Sequence, residues 1–216
     1  NSSFDDFTRA LGIEQTSRNS TVVEPKKHGE LSFAINGEHE VNSEEWLETV
    51  LESITDAPKP CLVVTSSFDL SDKLAAEYPE AVIRNTEEGE TTSQAAKRLS
   101  KESSKDTLIA AAAWAGLDTP IIWKSIVVPK VPFEKPTIID GKVESHYINS
   151  RNLAIRRMRQ VIGRGLRSPD ARCSITICDS RWPKIESFVP DRFKPQWQAK
   201  SYSEGQTLQV TLSKNE

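Results

Sequence analysis

The sequence is short of the residues that build metal, redox and secretory chemistry. Its 216 residues hold three cysteines, Cys61, Cys173 and Cys178. None forms a Cys-x-x-Cys pair, and no histidine stands near them at ligand spacing, so no metal or redox pattern is present. Cys61 and Cys173 each open an apolar, strand-like run, which fits buried structural thiols in a reducing, intracellular setting. No stretch approaches the roughly 20 apolar residues of a membrane span. The opening residues, Asn1-Ser-Ser-Phe-Asp-Asp6, have no signal-peptide pattern. Positive charge is not in excess: the net charge of −3 argues against a protein that coats nucleic acid through its global field. There is no Gly-x-x-x-x-Gly-Lys-Ser/Thr phosphate loop and no Asp-Glu-x-His magnesium box. The chain therefore lacks the groups that hold a nucleoside triphosphate and its metal. It also shows no internal repeats.

What is present is a concentration of arginine in one place. Arg151 to Arg172 carries seven arginines against one acid, Asp170. If the run is helical, Gln160, Gly163, Arg164 and Arg167 fall three or four residues apart and share one face. Leu153, Ile155, Met158, Val161, Ile162 and Leu166 supply apolar anchors around the rest. Gly163 and Gly165 each cost a helix interior roughly 1 kcal/mol relative to Ala. Two glycines beside two arginines point to a ligand or another backbone coming close there. A guanidinium is planar, permanently charged and binds two phosphate oxygens at once. A basic amphipathic helix with a solvated face accounts for the same spacing, and spacing alone does not separate the two.

Along the chain, residues 1 to about 20 are polar, with a short helix candidate at Phe4 to Leu11. Ser20–Val23 and Glu30–Ile35 read as strands, and Asn36-Gly37 as a tight turn. Asn42 or Ser43 caps a helix that begins with Glu44 and Glu45 and repeats Trp46, Leu47, Val50, Leu51 and Ile54 at helical spacing. Cys61–Thr65 is a short apolar run of the kind covered on both faces of a parallel sheet, followed by a turn at Ser66-Ser67-Phe68. Helices are expected at Asp69–Tyr78 and Thr91–Ser103, and strands at Ala81–Arg84, Leu108–Trp114, Ile121–Val128 and Cys173–Asp179. Thr207–Leu212 is a last strand candidate, suited to an edge. Short apolar strands alternating with helices of ten or more residues indicate an α/β domain with a mostly parallel sheet. Ligands gather at the carboxyl ends of such strands. The groups there are Thr65-Ser66-Ser67, Gly116 with Asp118, Lys130, and Asp179 with Arg181.

The order of these motifs is recognisable. A strand ending Val64-Thr65-Ser66-Ser67, then Ala113-Trp114-Ala115-Gly116-Leu117-Asp118-Thr119-Pro120, then Val131-Pro132-Phe133, then Gln160-x-x-Gly163-Arg164-x-x-Arg167, then Ile177-Cys178-Asp179-Ser180-Arg181 resembles the second motor domain of superfamily-two helicases, in the DinG/XPD branch. The likeness covers about residues 58 to 190. It implies a three-layer RecA-like domain, of the phosphate-loop NTPase type, with helices on both faces of the sheet. On that basis 1–44 is a lead-in segment with strand candidates, 45–190 the helicase domain and 191–216 a tail with an edge strand. The resemblance implies that ATP and Mg2+ are bound mainly by an N-terminal helicase domain of a longer parent chain. Arg164 and Arg167 would reach across the cleft as arginine fingers, with Gln160 aligning the nucleotide and attacking water. Gly163, Gly116 and Asp118 would lie by the nucleotide. Thr65, Ser66, Ser67 and Trp114 would lie along single-stranded DNA.

The resemblance also implies movement 5′ to 3′ on DNA, no iron–sulfur cluster in this part of the protein, no membrane partner, and a cytoplasmic, nucleoid-associated setting. The chain departs from the branch at Ala115, where an acid is common. It departs again in the short stretch from Thr137 to Asn152 and in the missing proline before Gln160. Each site residue keeps a second reading. Asp118 caps a turn before Pro120, Trp114 belongs to the core, and Ser66-Ser67 is an ordinary strand-to-helix turn. Lys130 and Arg181 are solvated or locally paired.

Two functions stay open at this point. One is the C-terminal motor domain of an ATP-dependent DNA helicase, which the start at Asn1 rather than Met favours. The other is a free-standing, non-catalytic RecA-like module that binds nucleic acid or a partner. A nuclease subunit would need a carboxylate-rich metal site, and the sequence offers none. The missing phosphate loop sets a first expectation: this chain alone releases no phosphate from ATP, with or without single-stranded DNA, in a phosphate-release assay.

Overall fold

The computed structural model describes residues 29–182, apart from 85, 103, 135–136, 140–141, 145–146 and 169, together with 208–211. In chain order its elements are β1 (Glu30–Ile35), α1 (Glu44–Thr55), β2 (Cys61–Thr65), α2 (Phe68–Glu77), α3 (Thr92–Leu99), β3 (Thr107–Ala111), β4 (Ser125–Val128), β5 (Thr137–Ile139), β6 (Lys142–Glu144), α4 (Tyr147–Arg164), β7 (Arg172–Ile177) and β8 (Leu208–Thr211). The main sheet runs β3-β2-β4-β7-β1-β8. Its first five strands are parallel, and β8 pairs antiparallel with β1 at the edge. The strands β5 and β6 form a separate antiparallel pair.

The layering follows from strand alternation. Successive side chains of a strand point to opposite faces, and here both faces are apolar. Leu62 and Val64 of β2 join one core, with Ala95, Ala96 and Leu99 of α3 and Ala154, Met158, Val161 and Ile162 of α4. Cys61 and Val63 join the other, with Trp46, Val50 and Ile54 of α1 and Leu74 of α2. Two helices therefore cover each face, which is the expected three-layer α/β arrangement with a mostly parallel sheet.

Local signals placed most boundaries. Ser43 caps α1, accepting from the Trp46 amide at 3.1 Å. Thr91 and Gln94 form a reciprocal capping box on α3. Other expectations changed. At Ala81–Arg84 there is one bridge, Val82 to Leu108, and no strand; the Ile83 carbonyl accepts from Arg98 instead, at 2.8 Å. Residues 121–123 are irregular, with Thr119 Oγ1 accepting from the Ile121 amide at 3.2 Å, so β4 begins only at Ser125. Asn36-Gly37 closes no hairpin, because β1 sits between β7 and β8 and the Asn36 side chain donates to Ser53 at 2.9 Å. The strand expected within 1–44, Glu30–Ile35, lies inside the main sheet. Phe4–Leu11 and Ser20–Val23 lie outside the described residues. Among the described residues no helix is long and apolar enough to cross a membrane.

All three cysteines are free and buried. Burial pushes the thiol of Cys173 up to about 12 and that of Cys178 up to about 11. It raises Cys61 as well. The thiolate is the reactive form, so the native protein is expected to react with a thiol-specific disulfide reagent at neutral pH only as fast as it unfolds, and fully in denaturant. Unfolded thiols ionise first as alkali is added, near the ordinary 9.0. The stabilising contribution of the buried, neutral thiols is therefore intact below about pH 9 and is lost as pH rises through about 11 and 12. Unfolding midpoints measured against pH should fall in that window.

Candidate functional site

The carboxyl ends of β2, β3, β4 and β7 open onto one edge of the sheet, and α4 delivers its arginines there. Ala154, Ile155, Met158, Val161 and Ile162 of α4 are buried, while Arg156, Gln160 and Gly163 are exposed. This is the face split that the apolar spacing required. The helix tightens at its end, where the Gly165 amide donates to Ile162 O at 3.0 Å and the Leu166 amide to Gly163 O at 3.3 Å. That turn swings Arg167 alongside Arg164.

Both guanidinium groups face the turn that follows β3. Arg164 donates from Nε to Ala113 O at 2.7 Å, from one terminal nitrogen to Leu117 O at 2.6 Å and from the other to Trp114 O at 3.1 Å. Arg167 donates to Thr119 O and Leu117 O, each at 3.0 Å. A guanidinium has more N–H donors than either side chain uses here. Arg164 is half-buried. Burial, and then the charge of Arg167, lower its pKa from the ordinary value, which is high enough that the group keeps its charge.

The two glycines of the arginine run differ. A Cβ on Gly163 would meet nothing within 4 Å. On Gly165 it would lie 2.8 Å from Cys173 Sγ and 2.9 Å from Cys173 Cβ. Gly165 therefore exists for packing against β7, and Gly163 borders open space beside Gln160 and the arginines.

The turn after β3 has its own anchors. Ala112 takes φ +54° and Gly116 φ +69°, both in the left-handed region. Ser93 of α3 holds the far side: its hydroxyl donates to Gly116 O and accepts from the Asp118 amide, each at 3.1 Å. The Asp118 side chain is exposed, and Thr119, not Asp118, supplies the hydroxyl that caps the turn before Ile121. Trp114 is half-buried against the core, with the Arg157 guanidinium 4.9 Å from its ring centre. Arg157 also donates to Pro132 O at 3.2 Å, so it ties the β3 turn to the β4 exit. Ser93 was not legible in the sequence, since it stands in no motif, and Arg157 was one of seven arginines in its run with nothing to single it out.

At the β2 exit the Thr65 hydroxyl is fully buried and bonded to Ser71 Oγ at 2.6 Å and Ser67 O at 3.0 Å. It serves the turn and is not free for a phosphate. Ser67 caps α2, accepting from the Leu70 amide at 3.3 Å. Ser66 is half-buried beside it. At the β7 exit Asp179, fully buried, accepts from the Val131 amide at 2.7 Å and from Arg181 at 2.6 and 2.9 Å. Arg181 stacks over Phe133 at 4.9 Å. Arg181 is thus locally paired. Among the described residues no three His, Cys, Asp or Glu side chains are grouped to hold a metal ion.

Comparison with known proteins bears on this arrangement. The family described as Helicase C-terminal domain matches residues 50–196. A solved apo XPD superimposes with TM-score 0.61 at 13% identity, over 86% of this chain and 44% of that one. An XPD helicase gives TM-score 0.62 at 16% identity, over 86% and 39%. Xpd4 of S. tokodaii gives 0.52 at 13%, over 83% and 40%. The chain thus spans about two fifths of the length of these structures, and the fold they share with it is the RecA-like one. No curated protein matches.

The glycine contrast is testable by thermal unfolding. Gly163→Ala should stabilise the chain by up to about 1 kcal/mol, since a helix gains propensity and nothing obstructs the methyl. Gly165→Ala should destabilise it by about 1–3 kcal/mol through overpacking against Cys173.

Proposed function

Because the chain belongs to the helicase C-terminal domain family and is of the DinG/XPD type, we propose that it is the second motor domain of an ATP-dependent DNA helicase. It works with an N-terminal domain that carries the phosphate loop and the metal box absent here. The observation that carries this reading is the double anchorage of Arg164 and Arg167 on one turn at the carboxyl edge of the sheet.

Backbone carbonyls fix both guanidinium groups before any ligand arrives, and the free N–H groups remain for the terminal phosphates of a nucleotide held by the other domain. Charge that is already positioned needs no reorganisation as phosphoryl transfer proceeds. Gln160 and Gly163 lie beside the arginines on the exposed face: Gln160 orients the nucleotide and the attacking water, and Gly163 leaves room for it. Magnesium falls to the other domain in this reading. When bound it would neutralise phosphate charge, and this chain would contribute the arginines opposite it.

Gly116, Asp118 and Trp114 sit on the turn that the arginines grip. A pull of Arg164 towards phosphate is therefore felt at the turn and, through Ser93, at α3. Ser66, Ser67 and Trp114 supply the single-stranded DNA side of the same edge.

The test pairs this chain with its phosphate-loop domain. Arg167→Ala and Arg164→Ala should each lower ATP turnover by about 10³ or more, with affinity for single-stranded DNA little changed. Arg164→Lys, which keeps the charge but cannot donate to three carbonyls in a plane, should also lose most turnover. Unaltered turnover in the alanine variants would leave a nucleic-acid or partner-binding module without a motor role.

A further inference from the structure

We propose that Phe68, backed by Arg84, is a stacking platform for one unpaired nucleobase and its phosphate at the β2 end of the site. The proposal rests on the motor reading for its polymer, and on its own geometry for the residues. Phe68 is the first residue of α2, directly after Ser66 and Ser67. The residue is 48% exposed, although the same helix reaches the core less than two turns on, at Leu74. Its ring stands at the carboxyl edge of the sheet, where ligands of such sheets gather, and offers a flat apolar face there.

The ring is not bare on both sides. The Arg84 guanidinium carbon lies 4.3 Å from its centre, well inside cation–π range. Arg84 makes no ion pair or hydrogen bond among the described residues, and its Nε is shielded from solvent without a partner. By contrast, Arg98, Arg164, Arg167 and Arg181 are all engaged with carbonyls or carboxylates. Among the described residues Arg84 is thus a cation packed on the ring, with its Nε donor unused.

That combination matches a nucleotide better than its competitors. An inorganic anion would use Arg84 and ignore the ring; an apolar peptide would use the ring and leave the cation unpaired. A base has a π face for the ring and a phosphate for the guanidinium, and stacking tolerates any sequence. The platform also lies one strand from the arginine turn, because the Ala112 amide donates to Thr65 O at 3.0 Å. A base parked on Phe68 is therefore placed where movement of that turn can act on its neighbours.

Binding of labelled oligo(dT), and of oligo(U) as the RNA source of the same chemistry, tests this by fluorescence anisotropy on the 216-residue chain. Phe68→Ala should weaken binding about 10- to 100-fold, while Phe68→Tyr and Phe68→Trp restore it. Arg84→Ala should weaken it too and flatten the salt dependence by about one counterion. Ile122→Ala, at the other large hydrophobic side chain exposed among the described residues (57%), should change nothing. An oligonucleotide with 2-aminopurine should lose its stacking signal on the Phe68→Ala variant. Strand binding unchanged in Phe68→Ala, with an unaltered circular dichroism spectrum, overturns the platform while the arginine test above stands or falls separately. Absence of strand binding by the unsubstituted chain also overturns it.

Discussion

Two arginine side chains and four backbone carbonyls hold this site together. The turn after β3 exposes Ala113, Trp114, Leu117 and Thr119 carbonyls that no strand neighbour reaches, and Arg164 and Arg167 supply the donors. Such carbonyls need partners wherever water is restricted, and bonds from a charged donor are among the stronger ones, roughly 1.5–3 kcal/mol each. The turn shapes the arginines as much as they shape it. Without Arg164 and Arg167 those four carbonyls lose their donors; without the turn, the guanidinium groups have no fixed direction.

The same contact sets what binding can change. Ala112 sits in the left-handed region without being glycine, a conformation that costs about 1–3 kcal/mol and persists only when its surroundings impose it. The Arg164 bonds to Ala113 and Trp114 come directly after it in the chain. A phosphate that draws Arg164 away would compete with those carbonyls and release the constraint on Ala112. Ser93, bonded to both Gly116 and Asp118, would carry the movement into α3. The β4 and β7 exits are built differently. There the buried Asp179 carboxylate takes up the Val131 amide and the Arg181 guanidinium together, a closed network that ties the two exits to each other.

Much of the fold is visible in the chain because its causes are local. The β2, β3 and β4 runs are mostly apolar and buried at every position because both faces of the sheet are covered. Thr91 and Gln94 announce α3 by a box four residues long, and Ser43 announces α1. The expectations that failed were those that tertiary contacts override. Ala81–Arg84 has strand-like residues, yet only Val82 pairs with β3, and the Ile83 carbonyl on the other side goes to the guanidinium of Arg98. Gly163 and Gly165 look alike in sequence and differ only because Cys173 lies against the second.

By itself the sequence determined the order along the chain of the main-sheet strands and of the helices, though not the β5–β6 pair, together with the parallel three-layer plan, the exposed Gln160–Gly163–Arg167 stripe and the family, since these depend on periodicities and motifs a few residues long. Only the tertiary structure decided what the arginines touch, that the Thr65 hydroxyl is withdrawn into its turn, and that Phe68 and Arg84 meet. The arginines' partners are brought together by the sheet order and not by their spacing along the chain: Arg164 and Ala113 stand 51 residues apart, and no local rule connects them, whereas Thr65 finds Ser67 and Ser71 within the turn and helix that follow it.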